Sequence, residues 1–207
     1  MSDTHFEDQA IVIKKLYYKF NASRVVIDAN GLGIGLVDYL VKPQVNAETG
    51  ETIADFGVYN DNDNEYKRFR TSICEDDALY LIKAHAPENT EAHANLQAQL
   101  NTGRVKFLID ERVAKAKLLG TKVGQQMTPE RRAEYLKPFT LTSILKEELL
   151  NLREENQGVN IILKPVNKGI KHDKVSSLEY GLYYIKLEID NKKKKKRFKA
   201  SDWTFMN

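Results

Sequence analysis

An aspartate at the end of an apolar run, followed by three glycines, constrains the fold of this chain more than any other feature. Residues 25–35 read Val-Val-Ile-Asp-Ala-Asn-Gly-Leu-Gly-Ile-Gly. A short run of β-branched residues predicts a buried strand, and glycines directly after it predict a tight turn into a helix. The pattern therefore places Asp28 at the carboxyl end of a strand, which is where open α/β sheets bind their ligands.

Apolar periodicity along the chain predicts a mixed α/β sheet with helices on both faces. Helical patterns cover residues 7–20, 34–41, 88–101, 142–154 and 173–189, and helices also begin near residues 110 and 128. Strand patterns cover residues 24–28, 56–59, 78–83, 105–109 and 159–163. We expect one domain over residues 1–190 and a basic C-terminal tail over residues 191–207.

The composition is that of a soluble protein in a reducing compartment. Hydrophobic residues make up 42% of the chain and charged residues 29%, which is ordinary for a globular domain. The single cysteine, Cys74, excludes an intramolecular disulfide. No apolar run approaches the roughly 18 residues that a membrane-spanning helix needs. We therefore expect a cytoplasmic protein.

Positive charge is concentrated near the C-terminus, although the net charge is only +3. Six consecutive basic residues occupy positions 192–197. Such a run is typical of a solvated tail or helix end, and it can also form an arm that contacts phosphate groups. Lys193 and Lys195 are the candidate phosphate contacts under the second interpretation.

Asp28 has two interpretations on the residues alone. An aspartate between a strand and a helix often accepts hydrogen bonds from turn amides, and it can equally serve as a catalytic or metal-binding carboxylate. The glycines Gly31, Gly33 and Gly35 also permit a nucleotide-binding interpretation, because glycines let a phosphate approach the amides of a helix N-terminus. The match to a dinucleotide fingerprint is poor, since Asp28 would repel a pyrophosphate.

A second candidate carboxylate, Asp173, lies among cations in the loop that follows a predicted strand. Lys168, Lys171, His172 and Lys174 surround it in the sequence. A carboxylate among positive charges suits a metal site that also receives phosphates. Asp173 also precedes a strongly periodic helix, so it can be a plain N-cap. His172 is either a ligand or phosphate contact, or simply an exposed side chain.

Several segments, taken in order, resemble the C-terminal nuclease domain of the large terminase subunit, the DNA-packaging motor protein of tailed bacteriophages. They read KKLYYKFN at residues 14–21, VIDANGLGIGLVD at 26–38, LNTGRV at 100–105, LTSILKEELLNL at 141–152 and KHDKVSS at 171–177. The resemblance extends over about residues 6–189. Each motif alone is weakly specific, and the ordered set is more so.

The resemblance implies a ribonuclease H-like fold and cleavage of double-stranded DNA by two divalent ions, Mg²⁺ or Mn²⁺. In that family three acidic residues on different elements hold the ions, which activate water and stabilise the leaving oxygen. By position, Asp28 corresponds to the second acid and Asp173 to the third. Lys168, Lys171 and Lys174 would then lie near the DNA backbone, with His172 as a possible accessory group.

The first acid of that family lies on an opening strand for which this sequence has no counterpart. We therefore expect the opening antiparallel strands and the ATPase domain to be missing, and the site to need a carboxylate from an upstream segment or a partner. Expected partners are double-stranded DNA, the remaining terminase segment, the portal or small terminase, or a second copy, in the host cell cytoplasm. The alternative is a catalytically incomplete DNA-binding or assembly module of the packaging machine.

Overall fold

The computed structural model describes residues 5–31, 33–46 and 49–197, with the backbone alone at residues 76 and 195–197. The chain divides into two compact units, residues 1–85 (unit one) and residues 86–207 (unit two). Within the described ranges, no helix combines the length and the apolarity needed to cross a membrane.

Unit one alternates helices with short strands. Its elements are α1 (Phe6–Lys19), β1 (Val25–Asp28), α2 (Gly33–Leu40), β2 (Gln44–Val45), β3 (Thr52–Ile53), β4 (Phe56–Val58), a 3₁₀ turn (Lys67–Phe69) and β5 (Glu75–Ile82). Helix α1 begins with acidic residues and ends with a lysine, which complements the helix dipole at both ends.

A three-stranded parallel sheet forms the centre of unit one. Its strand order is β1-β5-β4, and β1 pairs with β5 from Val25 opposite Leu79 to Asp28 opposite Ile82. Strands β2 and β3 form a separate antiparallel pair. Because the three strands run parallel, their carboxyl ends meet at the same edge, and Asp28 lies there. Helices α1 and α2 pack against each other and contribute Ala10 and Val37 to the buried core.

Unit two consists of helices around an antiparallel hairpin. Its elements are α3 (Ala86–Asn101), α4 (Glu111–Leu119), α5 (Lys122–Gln126), α6 (Pro129–Leu150), β6 (Leu152–Gln157), β7 (Asn160–Pro165) and α7 (Asp173–Arg197). Helix α3 packs against α7 and β7, while α4 packs against α6. The two-residue hairpin loop contains Gly158 at φ +63°, a conformation that glycine adopts without strain.

The structure confirms a mixed α/β chain and corrects three of the sequence predictions. The paired strands form three separate sheets in the described residues, not one. Residues 105–109 are not a strand. The helix predicted over residues 142–154 is the second half of α6, which ends at Leu150, and residues 152–157 pair with β7 as a strand. Cross-strand pairing there outweighs the helix propensity of arginine and glutamate.

Candidate metal and DNA-binding site

Asp28 ends the edge strand of the parallel sheet and exposes its carboxylate to solvent. Its Oδ1 accepts a hydrogen bond of 3.0 Å from the Asn30 amide. The Asn30 side chain in turn donates to Ala84 O at 3.3 Å, just beyond the end of β5. The contact with the Asn30 amide is the one that the turn interpretation of Asp28 predicts. That contact engages one carboxylate oxygen, and within residues 5–31, 33–46 and 49–197 no other hydrogen bond or ion pair engages the carboxylate.

Each glycine after Asp28 has its own structural reason: a positive φ at Gly31, a close backbone contact at Gly33 and a ring contact at Gly35. Gly31 has φ +56°, and a Cβ on Gly33 would lie 1.7 Å from the Asp28 carbonyl oxygen. At Gly35 a Cβ would lie 2.7 Å from the Phe6 ring. These positions let α2 start directly over the end of β1 and pack against α1. The nucleotide-binding interpretation is not needed to account for them.

Asp173 is the first residue of α7 and is also exposed. Its backbone carbonyl accepts a hydrogen bond from Ser177 Oγ at 2.9 Å, within the helix. Within residues 5–31, 33–46 and 49–197, no ion pair or hydrogen bond engages the Asp173 carboxylate itself. The side chain therefore does not act as the cap of its own helix.

The cap of α7 is supplied by Glu148, a residue near the end of α6. Glu148 is 2% exposed. Its Oε2 accepts hydrogen bonds from the amides of Lys174 at 2.9 Å and Val175 at 3.3 Å, and its Oε1 accepts one from Lys174 Nζ at 2.7 Å. The carboxylate thus satisfies two first-turn amides, which have no partner within a helix.

Asn151, which follows α6, fixes the other end of the loop that leads to Asp173. Its side chain donates to Asn167 O at 2.9 Å and accepts from Asn167 N at 2.8 Å. Its backbone carbonyl also accepts from Val166 N at 2.7 Å. Glu148 and Asn151 together hold the loop of residues 166–172 against the C-terminal end of α6.

The predicted phosphate contacts of this loop differ in their surroundings. Lys168, Lys171 and His172 are exposed. Lys174 is half-buried and forms an ion pair with Glu148. Among the described residues Lys168 and Lys171 form no ion pair, whereas the charge of Lys174 is largely neutralised by Glu148.

His172 borders a small cavity of about 130 Å³, which His93 and Glu179 also line. His93 Nδ1 and the Glu179 carboxylate form a hydrogen-bonded pair between α3 and α7. Glu179 is 4% exposed. A buried carboxylate with a histidine partner is a structural link between these two helices, and no sequence pattern indicated that the two residues would pair.

The basic run near the C-terminus continues helix α7. Lys193 is exposed, and its Nζ lies 3.8 Å from a carboxylate oxygen of Asp190. The side chain of Lys195 lies outside the described residues. Helix α7 extends to Arg197, so residues 191–197 of the expected basic tail are helical, and residues 198–207 of that tail lie outside the described residues.

The two predicted metal ligands belong to different units, Asp28 to unit one and Asp173 to unit two. Across residues 5–31, 33–46 and 49–197, no group of three or more histidine, cysteine, aspartate or glutamate side chains could hold a metal ion. Exposed carboxylates are suitable oxygen ligands for Mg²⁺ or Mn²⁺. The carboxylates of Asp28 and Asp173 suit such an ion. The terminase nuclease family that the sequence resembles uses three acids, one more than these two.

Two buried charges in unit one lie away from these candidates. Lys14 is fully buried in α1, and burial lowers its pKa from 10.5 to about 8. Asp55 is also fully buried. Burial raises its pKa, but hydrogen bonds from the hydroxyl and amide of Thr71 more than reverse this, and the pKa falls below the usual value. Asp55 therefore stays ionised and fixes the Thr71 backbone.

Sequence reasoning missed Glu148, although a signal was present. In α6 the spacing of Leu141, Leu145 and Glu148 follows the helical repeat, so Glu148 occupies a position on an apolar stripe. A glutamate at such a position needs a partner when it is buried. That partner is the start of α7.

Comparisons with known proteins found no match: no protein-family model matches the chain, no curated protein matches it, and no solved structure matches it.

Proposed function

We propose that this chain is a nuclease segment of a phage DNA-packaging terminase that cleaves double-stranded DNA with Mg²⁺ or Mn²⁺. The observation that carries the proposal is the position of Asp28. It is an exposed carboxylate at the carboxyl end of an edge strand in a parallel sheet, with the chain turning directly into a helix. The ordered resemblance of the sequence segments supports the same function.

The proposal includes a ribonuclease H-like fold. The parallel β1-β5-β4 order supports the parallel part of such a sheet. Among the described residues β1 pairs only with β5, so its other edge can accept a further strand. In the proposed enzyme that strand comes from an upstream segment or a partner polypeptide and brings the first acid.

Each candidate site residue has a defined task in the proposed enzyme. Asp28 and Asp173 would each supply a carboxylate oxygen to a divalent ion, and such ions when bound would activate a water molecule and stabilise the leaving oxygen. Lys168 and Lys171 bind phosphate oxygens and orient the duplex. Lys174 instead neutralises Glu148. The rest of the terminase, the portal or small terminase are the expected protein partners, in the host cytoplasm.

Plasmid cleavage tests this proposal. The full chain is incubated with supercoiled DNA and Mn²⁺, alone and with a polypeptide that carries the upstream acidic strand. Asp28→Asn is the sharpest variant, because the amide oxygen still accepts the bond from Asn30 while the negative charge is lost. Asp173→Asn is its counterpart. The matched control is Asp110→Asn, in an acid that caps α4 by accepting from the Arg112 amide.

We expect each site variant to lose at least about 100-fold in cleavage rate, since a metal ligand is removed, and Asp110→Asn to keep it. Cleavage that survives both site substitutions would refute the assignment of Asp28 and Asp173. Cleavage that appears only with the added strand would establish a divided site.

The second candidate function is a DNA-binding or assembly module without catalysis. The contact of Asp28 Oδ1 with the Asn30 amide favours it, because a turn role alone is enough to retain the aspartate. Under this function the chain binds duplex DNA through Lys168 and Lys171, and no added strand produces cleavage. Binding that is unaffected by Mn²⁺ and by Asp28→Asn would favour the module over the nuclease.

A further inference from the structure

The first turn of α7, which begins with Asp173, is capped by a buried carboxylate from another helix, that of Glu148 in α6. We propose that Glu148 is a positioning residue that fixes the Asp173 carboxylate for metal binding. The inference rests on the proposed function, and it adds a residue that the resemblance did not assign. Glu148 touches neither the DNA nor the ions in this assignment.

Hydrogen bonding ties the backbone around Asp173 to α6. The amides of Lys174 and Val175, the two residues that follow Asp173, both donate to Glu148 Oε2. Val175 is 1% exposed, so its amide has no access to bulk water as a substitute partner. With the next two amides held, the Cα of Asp173 has a fixed position, and only the side-chain torsions of Asp173 remain to be set by a ligand.

Charge balance explains how the Glu148 carboxylate can cap α7 while another acid, Asp173, lies next to it. Glu148 is neutralised by Lys174 Nζ at 2.7 Å and by the positive end of the α7 dipole. Its negative charge therefore does not compete with Asp173 for a cation. Asn151 adds the second anchor by holding Asn167, so the loop is fixed before and after the basic residues Lys168 and Lys171.

Three variants separate the cap from the ion pair. Glu148→Ala removes the acceptor for both amides, whereas Lys174→Met removes the ion pair and leaves the acceptor in place. Glu148→Gln keeps a carbonyl oxygen for the amides and loses the charge. Leu118→Ala is the matched stability control, because Leu118 is buried in the separate cluster formed by α4 and α6.

Hydrogen exchange of the full chain tests the positioning contact without requiring activity. In Glu148→Ala we expect the amides of Lys174 and Val175 to exchange at least about tenfold faster, because a buried amide without an acceptor opens readily. Lys174→Met and Leu118→Ala should leave these two amides protected, and Glu148→Gln should restore most of the protection. Unchanged exchange in Glu148→Ala overturns the inference.

Mn²⁺ binding to the full chain, followed by the electron paramagnetic resonance of free Mn²⁺, tests the consequence for the site. We expect Asp173→Ala to abolish one binding event and Glu148→Ala to weaken it about tenfold, as is typical when a residue that orients a metal ligand is lost. Leu118→Ala should bind like the unaltered chain.

The two possible failures are distinguishable. If Asp173→Ala lowers Mn²⁺ binding and Glu148→Ala does not, the positioning role is wrong and the proposed function stands. If Asp173→Ala binds Mn²⁺ like the unaltered chain, the metal role of Asp173 fails, and the assignment of Glu148 falls with it.

Discussion

The buried ammonium group of Lys14 makes the stability of unit one depend on pH in the alkaline range. Its Nζ donates a hydrogen bond to Lys42 O at 2.6 Å and lies 5.4 Å from the centroid of the Phe56 ring. Burial lowers the pKa of Lys14 from 10.5 to about 8, and the negative charge of Asp55 only partly opposes this effect. The charged form is therefore costly in the folded protein.

The sign of the effect follows from proton binding. Between pH 8 and 10.5 the unfolded chain keeps the Lys14 proton while the native protein releases it. The unfolded state then binds more protons, so the free energy of unfolding rises with pH through this window. With these two pKa values, the gain between about pH 7 and pH 9.5 is about 2 kcal/mol.

Lys14→Met isolates this contribution, because methionine has a similar volume and does not titrate. Urea unfolding of both proteins is followed by circular dichroism at about pH 7 and pH 9.5. The loss of the hydrogen bond to Lys42 O costs about 1 kcal/mol at either pH, and all other titrations are shared. We expect the stability of the unaltered protein relative to Lys14→Met to rise by about 2 kcal/mol over this range. A difference that stays constant with pH would refute the argument.

Three further predictions address the turn, the loop and the DNA contacts. Gly33→Ala should destabilise unit one by more than about 2 kcal/mol, because the new Cβ would lie 1.7 Å from the Asp28 carbonyl oxygen. Gly181→Ala in α7 should instead be stabilising, because nothing lies within 4 Å of the new Cβ. Thermal unfolding compares the two variants, and equal effects on stability would contradict the geometry. Asn151→Ala should increase proteolytic cleavage within residues 166–172, and unchanged cleavage would show that Asn151 does not hold the loop. In duplex binding, Lys168→Met and Lys171→Met should each lower the slope of log affinity against log salt by about 1. Lys174→Met should change the slope less, because Glu148 pairs with Lys174; an equal effect would contradict its neutralisation.

The elements of unit one followed closely from the sequence because their signals are local. The predicted helix over residues 7–20 and strand over residues 24–28 match α1 and β1 to within a residue at each end. The start of β5 was predicted three residues too late. It begins with Glu75 and includes Asp77 at φ +49°, and the register against β4 shifts there. Asp77 also forms an ion pair with Arg70, a contact that the sequence does not reveal.

The elements of unit two were harder to predict, because they depend more on contacts between residues far apart in the sequence. Strand β6 carries arginine and glutamates that favour a helix, and only its pairing with β7 makes it a strand. Residues 105–109 have strand-forming residues and find no strand partner among the described residues. At the site, the residue types and the turn at Asp28 were predictable from spacing. The cap of α7 by Glu148 was not predictable, because it joins two helices, α6 and α7, that the β6–β7 hairpin separates in the sequence.

The packing of α3 against α7 delays part of the folding of unit two during synthesis. The described strands of unit one pair with one another within residues 1–85, so their pairing needs no later part of the chain. Helix α3 follows immediately, yet Tyr183 and Glu179, which cover it, lie about 90 residues later on α7. Pairing across such a separation forms slowly compared with a local hairpin. The face of α3 that contacts α7 therefore lacks this partner until residues 179–183 have been synthesised, whereas β7, which also packs on α3, is made earlier.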